Sequence, residues 1–416
     1  MKKNIPKEVK WLFQRNAIQD FTSLDLLAKI IKEKGKAYVG FDLTKPSLQL
    51  GNMVCLNIGE ILVEKGIEVS VVLGGATTLV GDPAGKTSER LLSQAKIVKN
   101  NLNHIQDFLK THYPKLKVLN NNSWWQEIST IDFLRLCKSI SVNYLLDRQL
   151  IRERLENKGI SFTEFSYTLV QGLDFYFLAK KKGITLQYGG SDQWGNLLTG
   201  HDIINKETNI PTTCFSIPLL VDNQQRKMGK TEDNALYLDE KEFSSYALYQ
   251  AIFNFPDSIM REALLKLTIW SQAKIATIMN KHNLNKSKRI AQIALAKYII
   301  EKNHSEKAFH NSQRVSEIIF KKDFDKLTKS DLLLLIKSPL YRGLLSKNEQ
   351  IETVLVKINY AKSLSDARRL IHARGVRINL QLIDLPNSHL KDYLPFFGSY
   401  YIISKGKKDI SLINSK

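Results

Sequence analysis

The fold of this chain is decided by Lys36-Ala-Tyr-Val-Gly-Phe-Asp42 and Ile67-Glu-Val-Ser-Val-Val-Leu73, two short apolar runs typical of buried strands. Between them apolar residues recur at helical spacing, and Gly66 follows as a helix-ending residue. A strand, a helix and a second strand in this order predict a right-handed parallel crossover, and hence a doubly wound α/β sheet. The apolar positions of the helix are Leu50, Met53, Val54, Ile58, Ile61 and Leu62.

The ends of the predicted strands carry residues that suit a ligand site. In a doubly wound sheet, ligands bind at the carboxyl ends of the parallel strands. A later predicted strand, Ile184-Thr-Leu-Gln-Tyr188, leads into Gly189-Gly-Ser-Asp-Gln-Trp-Gly-Asn196, where small residues let a ligand approach and Asp192 can bind a ribose hydroxyl. The first strand supplies Tyr38, Gly40, Asp42 and Thr44.

A glycine-rich segment after the second strand looks like a phosphate-binding P-loop. Gly81-Asp-Pro-Ala-Gly-Lys-Thr87 has three residues between its glycines, whereas that motif needs four. Pro83 also lacks a backbone N–H donor. The spacing therefore argues against a P-loop, and Lys86 and Arg90 stay candidates for anion contacts at a predicted helix start.

The segment from Ser161 to Gly183 is predicted to be a helix with a polar stripe. Large apolar residues cover most of its circumference, which is typical of a helix buried nearly all round. Tyr167, Gln171 and Asp174 nevertheless project from one face, because they lie four and three apart. A solvated surface stripe would explain them, but a buried carboxylate and amide need polar partners. We therefore expect a pocket for a ligand that carries a cation and hydroxyl groups.

The composition indicates a basic globular protein. The chain has 416 residues, and its 61 Lys and Arg residues against 41 acidic ones give a net charge of +20. Such a charge predicts a polyanionic partner, nucleic acid before membrane, although a lysine-rich solvated surface has the same charge. Three cysteines, Cys55, Cys137 and Cys214, without paired metal spacing predict a reducing cytoplasm. No signal-peptide pattern or membrane-length apolar run occurs, which predicts a soluble intracellular protein.

Changes in composition and in predicted secondary structure along the chain predict its domains. Residues 1–240 hold the predicted strands, residues 241–337 are helices with lysine-rich outer faces, and residues 338–350 are a linker. Residues 351–416 form a compact tail. Within the first domain, residues 101–160 are predicted to be helical, with an apolar face that is either core or subunit interface. That face consists of Phe133, Leu134, Leu136, Ile140 and Val142.

The tail is predicted to contain a basic helix backed by a strand. Ser365 is the expected cap of this helix, Gly375 its end, and Val376-Arg-Ile-Asn-Leu380 the strand. This pattern is typical of a small RNA-binding module, although an exposed charged helix without function has the same pattern. The outward positions of the helix are Arg368, Arg369, His372 and Arg374.

Several segments together resemble one family. They are Tyr38-Val-Gly-Phe-Asp42, Gly74 to Arg90, Ser141-Val-Asn-Tyr144, Ile160-Ser-Phe-Thr-Glu-Phe-Ser-Tyr167, Gly189 to Asn196, Lys227-Met-Gly-Lys-Thr231, Ala361 to Arg369 and Gly375 to Asn379. Over essentially the whole chain they resemble bacterial tyrosyl-tRNA synthetases, which are class I aminoacyl-tRNA synthetases. The resemblance implies a Rossmann-like catalytic domain, a helical anticodon-binding domain and a C-terminal RNA-binding domain of the alpha-L type. It also implies a cytoplasmic homodimer that uses L-tyrosine, tRNA(Tyr) and ATP with Mg²⁺, and no tightly bound metal ion held by the protein.

The resemblance also implies roles for single residues. Tyr38 and Asp174 would bind the phenolic hydroxyl of tyrosine, Asp82, Tyr167 and Gln171 its ammonium group, and Gln193 its carboxylate. ATP would contact Gly40, Asp42, Thr44, Gly51, Asn52, Gly190 and Asp192. The pyrophosphate would be surrounded by Lys86, Arg90, Lys227, Lys230 and Thr231. The tRNA would be bound by Arg368, Arg369, Arg374 and Arg377.

One departure from the family concerns catalysis. The class signature His-Ile-Gly-His stands here as Gln49-Leu50-Gly51-Asn52, so both histidines are absent. Amides donate hydrogen bonds as imidazole does, but without a positive charge. Adenylate formation requires positioning and charge stabilisation, for which the predicted groups are Gln49, Lys86 and Lys230 with Mg²⁺. The alternative is a related protein that binds RNA without activating tyrosine, and the complete set of tyrosine contacts argues against it.

Overall fold

The computed structural model describes residues 5–82, 94–146, 151–152, 155–156, 159–221, 235–385, 387–406 and 409–416. The chain divides into two compact units, Met1–Leu238 with Phe255–Leu295 and Asp239–Asn254 with Ala296–Lys416. Among the helices in these described ranges, none is both long and apolar enough to cross a membrane.

The described helices and strands are numbered in chain order. As far as the fifth strand they are α1 (Lys10–Gln14), α2 (Leu24–Lys32), β1 (Lys36–Asp42), α3 (Leu50–Glu64), β2 (Glu68–Gly74), α4 (Thr77–Val80), α5 (Ala95–His112), β3 (Lys117–Asn120), α6 (Asn122–Trp125), α7 (Thr130–Cys137), α8 (Val142–Leu146), α9 (Phe162–Lys182), β4 (Leu186–Gly190), α10 (Trp194–Glu207) and β5 (Thr213–Ile217). They continue as α11 (Ser245–Phe253), α12 (Met260–Leu267), α13 (Gln272–Leu284), α14 (Ile290–Asn303), α15 (Glu306–Lys321), α16 (Lys329–Ile336), β6 (Tyr341–Leu345), α17 (Ile351–Lys357), α18 (Leu364–His372), β7 (Val376–Ile378), β8 (Gln381–Leu382), β9 (Tyr400–Lys405) and β10 (Asp409–Ser415).

The first unit is built on a five-stranded parallel sheet of order β3-β2-β1-β4-β5. The predicted crossover is confirmed, because β1 and β2 pair in parallel from Lys36 opposite Glu68 to Asp42 opposite Gly74. The chain moves outward from β1 in one direction and then, through β4, in the other. The carboxyl ends of β1 and β4 therefore form the switch point at which such sheets bind ligands.

Helix α9 brings the polar stripe to that switch point. The Ser161 hydroxyl accepts from the Glu164 N–H over 3.2 Å at its start, and Gly183, with φ of 65°, ends it. Tyr167 and Asp174 are 5% and 4% exposed, so the solvated-stripe alternative is wrong. Gly172 lets α9 approach α10 closely, because a Cβ there would lie 3.2 Å from the Gly200 nitrogen.

The second unit contains a sheet of order β6-β10-β9-β7-β8. Residues 341–345, placed in a linker by the sequence analysis, form its edge strand β6 and pair in parallel with β10. Ile402 and Leu412 of this sheet share one buried cluster with Val315 and Leu332 of the helices. This cluster contains residues on both sides of the boundary predicted after residue 337, and that boundary stays a prediction.

Two further predictions about local structure are corrected. The cap of α18 is Ser363, whose hydroxyl accepts from the Asp366 N–H over 3.2 Å, and Ser365 lies within the helix. The segment 101–160 is not uniformly helical, because residues 117–120 form β3 at the edge of the parallel sheet. This strand has only half-exposed side chains, so it lacks the apolar run by which buried strands are recognised.

Candidate active site

A cavity of about 250 Å³ opens at the carboxyl ends of β1, β2 and β4. It brings together every residue predicted to contact tyrosine or ATP within the described part of the chain. These are Tyr38, Gly40, Asp42, Thr44, Gln49, Gly51, Asn52, Asp82, Tyr167, Gln171, Asp174, Gly190, Asp192 and Gln193. The predicted pyrophosphate contacts Lys86, Arg90, Lys227, Lys230 and Thr231 lie outside the described residues.

The deep end of the cavity is organised around the carboxylate of Asp174. Its Oδ1 accepts from Trp124 Nε1 over 2.8 Å and from Trp125 Nε1 over 2.7 Å, and its Oδ2 accepts from Asn121 Nδ2 over 3.0 Å. Asn121 is held in this orientation because its Oδ1 accepts from the Ala76 N–H over 2.8 Å. Three donors thus hold a carboxylate that is almost completely buried.

Burial and these donors act on the pKa of Asp174 in opposite directions. Loss of water raises the pKa, the hydrogen bonds from Asn121, Trp124 and Trp125 lower it, and the negative charge of Asp42 raises it, with a net pKa of about 6. The group is therefore mostly ionised at neutral pH and accepts hydrogen bonds. Burial, and then the charge of Asp174, raise the pKa of Tyr38 well above its usual value, so its hydroxyl stays protonated.

Two buried polar atoms at the cavity have no hydrogen-bond partner among the described residues. They are the Tyr38 hydroxyl and the Gln171 Oε1. Buried polar groups are nearly always paired, because an unpaired group costs about 1–3 kcal/mol. Both residues line the cavity, so a ligand that offers a hydroxyl and a donor would satisfy them.

Other polar residues of the cavity are joined in short chains. Gln193 Nε2 donates to Asp82 Oδ2 over 2.8 Å, and Gln193 Oε1 accepts from Asn196 Nδ2 over 3.0 Å. The Tyr167 hydroxyl donates to Asp42 Oδ2 over 3.1 Å. Two carboxylates, Asp42 and Asp82, are thereby presented with fixed orientation to the cavity, which suits the binding of a cationic group.

The amino end of α3 forms the opposite wall. The Gln49 N–H donates to Asn52 Oδ1 over 2.8 Å, so Asn52 caps the first turn. The backbone on both sides of Gln49 pairs with residues 236–238. The Leu50 N–H donates to the Leu236 carbonyl, and the Leu238 N–H donates to the Leu48 carbonyl. The positive end of the helix dipole at this position favours an anion.

The arginines predicted to bind tRNA are all paired within the chain. Arg368 binds both oxygens of Glu352 over 2.6 and 3.0 Å, and the Glu352 side chain is 3% exposed. Arg369 pairs with Asp366 over 2.6 Å. The Arg374 Nε lies 3.9 Å from Asp384 Oδ1, and Arg377 donates to the Leu380 carbonyl over 3.2 Å. Arg368 therefore has a structural partner that sequence reasoning did not predict.

The residues that hold Asp174 were not predicted from the sequence. Asn121, Trp124 and Trp125 follow β3 directly, at the carboxyl end of a strand that was not predicted. The signal available was the run Asn120-Asn-Asn-Ser-Trp-Trp125, which is dense in side-chain donors. It becomes informative only when β3 is known to lie beside β2.

Two family models match the chain. The model for class I tRNA synthetases of the W and Y type matches residues 31–321, and the model for the SYY-like C-terminal domain of tyrosine–tRNA ligase matches residues 340–413. The chain is 35% identical to a tyrosine–tRNA ligase of Mycoplasma mobile, over 97% of this chain and 98% of that protein. It is 36% identical to one of Ureaplasma parvum, with the same coverage of both chains.

Solved structures give the same result. A C-terminally truncated mitochondrial tyrosyl-tRNA synthetase of Aspergillus nidulans matches with a TM-score of 0.66 and 29% identity, over 76% of this chain and 96% of that one. A tyrosyl-tRNA synthetase of Archaeoglobus fulgidus matches with a TM-score of 0.56 over 73% of this chain and 99% of that one. At 16% identity, this second match supports the fold alone.

Proposed function

We propose that this chain, which belongs to the class I tRNA synthetases for tryptophan and tyrosine, is a tyrosine–tRNA ligase. The tyrosine carboxylate attacks the α-phosphate of ATP, pyrophosphate leaves, and tyrosyl-adenylate remains. The tyrosyl group then passes to the terminal ribose at the 3′ end of tRNA(Tyr), and AMP leaves. The observation that carries the proposal is the buried pair Tyr38 and Asp174, an unpaired hydroxyl beside an ionised acceptor.

Tyrosine fits the polar groups of the cavity. Its hydroxyl donates to Asp174 and accepts from the Tyr38 hydroxyl, which otherwise has no partner among the described residues. Its ammonium group is held by Asp82, Tyr167 and Gln171, and its carboxylate by Gln193. Phenylalanine leaves the Tyr38 hydroxyl unpaired, which is the physical basis of discrimination.

ATP fits the side of the cavity formed by the ends of β1 and β4 and the start of α3. Gly40, Asp42, Gly190 and Asp192 contact the nucleoside, and Gln49 donates to the phosphates at the amino end of α3. Mg²⁺ accompanies ATP as a counter-ion of its phosphates. The described ranges contain no group of three or more His, Cys, Asp or Glu side chains that could hold a metal ion.

The partners of the enzyme follow from charge and exposed apolar surface. The net charge of +20 and the basic face of α18 support binding of tRNA(Tyr) in the cytoplasm. Ile131, Leu134 and Val142 are 59%, 57% and 61% exposed, whereas Phe133 and Leu136 pack against the core. Adjacent large apolar side chains exposed in this way support a homodimer interface.

A charged substitution among these exposed apolar side chains tests the proposed dimer. Leu134→Lys should convert the dimer to a monomer in sedimentation experiments, because a buried unpaired ammonium group opposes association. Leu284→Lys is the matched control, since Leu284 is 88% exposed on α13 of the same unit. A dimer unaffected by Leu134→Lys would mean that subunits meet elsewhere.

Tyrosine-dependent exchange of labelled pyrophosphate into ATP tests the activity itself. We expect exchange with tyrosine and little with phenylalanine, followed by charging of tRNA(Tyr) when tRNA is added. A folded chain that binds tRNA but gives no exchange would be an RNA-binding relative and not a ligase.

A further inference from the structure

The carboxylate that faces the substrate hydroxyl is held by two consecutive indoles. Trp124 and Trp125 both donate to Asp174 Oδ1, over 2.8 and 2.7 Å. A carboxylate oxygen offers about two acceptor positions, so these two bonds fill Oδ1. Oδ2 keeps one donor, Asn121, and one position for a ligand.

We propose that Trp125 is a positioning residue that determines specificity, because its indole fixes Asp174 so that Oδ2 alone is presented to the substrate hydroxyl. The proposal deepens the ligase function and rests on it. Trp125 does not line the cavity in which tyrosine and ATP are proposed to bind. Its effect on selectivity therefore passes through Asp174.

The local backbone supports a function beyond packing. Trp124 and Trp125 belong to α6, a single helical turn of four residues. Consecutive helical residues point about 100° apart, so both indoles can reach one oxygen only if α6 keeps a fixed orientation against α9. The Trp125 ring packs edge-to-face against Phe133 and Phe177, at centroid distances of 5.9 and 6.3 Å.

Loss of the Trp125 donor has an electrostatic consequence. Each hydrogen bond to the ionised carboxylate lowers the pKa of Asp174, and burial raises it, so that the net pKa is about 6. Removing one bond raises this pKa towards neutrality, and the protonated carboxyl becomes a donor at the position where an acceptor is required. The nearby titratable groups do not lower the pKa of Asp174. The charge of Asp42 on β1 raises it further, and Tyr38 on β1 stays neutral. Tyr167 on α9 donates its hydrogen bond to Asp42.

The test is Trp125→Phe in the full chain, which keeps a ring between Phe133 and Phe177 and removes the donor. Pyrophosphate exchange is measured with tyrosine and with phenylalanine on both sides of pH 6. We expect the preference for tyrosine to fall about ten-fold, the loss expected for a hydrogen bond to a charged group. The acid limb of the tyrosine profile should move to higher pH, while the phenylalanine profile stays unchanged.

Two variants separate positioning from packing. Trp125→His supplies a ring N–H and should restore part of the selectivity, and it also serves if Trp125→Phe does not fold. Phe133→Leu loosens the packing of the indole without removing the bond to Asp174, and should leave both pH profiles in place. Unchanged selectivity and an unchanged acid limb in Trp125→Phe would overturn the inference while leaving the ligase function intact. Absence of tyrosine-dependent exchange in the unmodified chain would overturn both.

Discussion

The cavity of the first unit and the basic surface of the second were both predicted from sequence. They differ in whether the predicted polar groups have hydrogen-bond or charge partners within the chain. In the cavity, predicted residues meet and leave the Tyr38 hydroxyl and Gln171 Oε1 unpaired among the described residues. On the basic surface, each predicted arginine already has a partner within the chain. A buried site is specified by what it leaves unsatisfied, whereas an exposed charge reveals little about its role.

The largest effect is expected at the centre of the cavity. Asp174→Asn keeps the shape but places an amide where the ionised acceptor stood. Discrimination between tyrosine and phenylalanine should fall roughly 10- to 100-fold, because a hydrogen bond to a charged group contributes about 1.5–3 kcal/mol. Parallel pyrophosphate exchange with both amino acids measures the ratio, and an unchanged ratio would show that Asp174 does not read the hydroxyl.

The same variant should lose one part of the pH dependence of stability. The pKa of Asp174 is raised to about 6 in the folded chain, so the ionised carboxylate opposes folding above that pH, and this cost disappears below about 3.9, its ordinary value. At neutral pH the cost is about 3 kcal/mol. Asn does not ionise, so thermal unfolding of this variant should lose the decline in melting temperature between about pH 4 and pH 6 that the ionising carboxylate causes.

On the basic surface, the comparison predicts that neighbouring arginines have different roles. Arg368→Ala leaves Glu352 buried without its partner and should lower the melting temperature of the second unit by on the order of 5 °C. Arg369→Ala, at a side chain that is 81% exposed, should leave stability nearly unchanged. Its tRNA affinity should fall, and the dependence of log affinity on log salt should be shallower by about one.

The pH dependence of stability also distinguishes Arg368 from Arg369. The hydrogen bonds and charge of Arg368 lower the pKa of Glu352, so the pair stabilises the fold above the ordinary glutamate value and ceases to do so as pH falls through the lowered pKa. Unfolding of Arg368→Ala should therefore lose this part of its pH dependence. If Arg369→Ala destabilised the unit as much as Arg368→Ala, the distinction would be wrong.

The limits of sequence reasoning follow from the same physics. The parallel crossover and α9 were predictable because burial on all sides gives the two strands short continuous apolar runs and covers most of the helix with apolar residues. Strand β3 was missed because its side chains are half exposed, and with it the donors of Asp174. The shared core of Val315, Ile402 and Leu412, which lie on both sides of the predicted boundary after residue 337, was not predictable because it joins residues far apart in sequence. Pairing of Arg368 with Glu352 likewise depends on tertiary structure.

The smallest effect is expected at the wall where the cavity meets the start of α3. Gln49 stands where the family signature has histidine, and its neutral amide contributes about 1 kcal/mol to a phosphate contact, against roughly 1.5–3 kcal/mol with charge assistance. Gln49→His should thus accelerate adenylate formation about five-fold, and Gln49→Ala should slow it by a similar factor. Neither should change tyrosine affinity, because the side chain is placed at the phosphate side.

Asn52→Asp is the control for charge at this wall. It keeps the oxygen that accepts from the Gln49 N–H but brings a negative charge to the phosphates. It should therefore slow the reaction without unfolding the start of the helix. Single-turnover adenylate formation measures all three variants, and a Gln49→Ala enzyme as fast as the unmodified one would show that Gln49 makes no contact in the transition state.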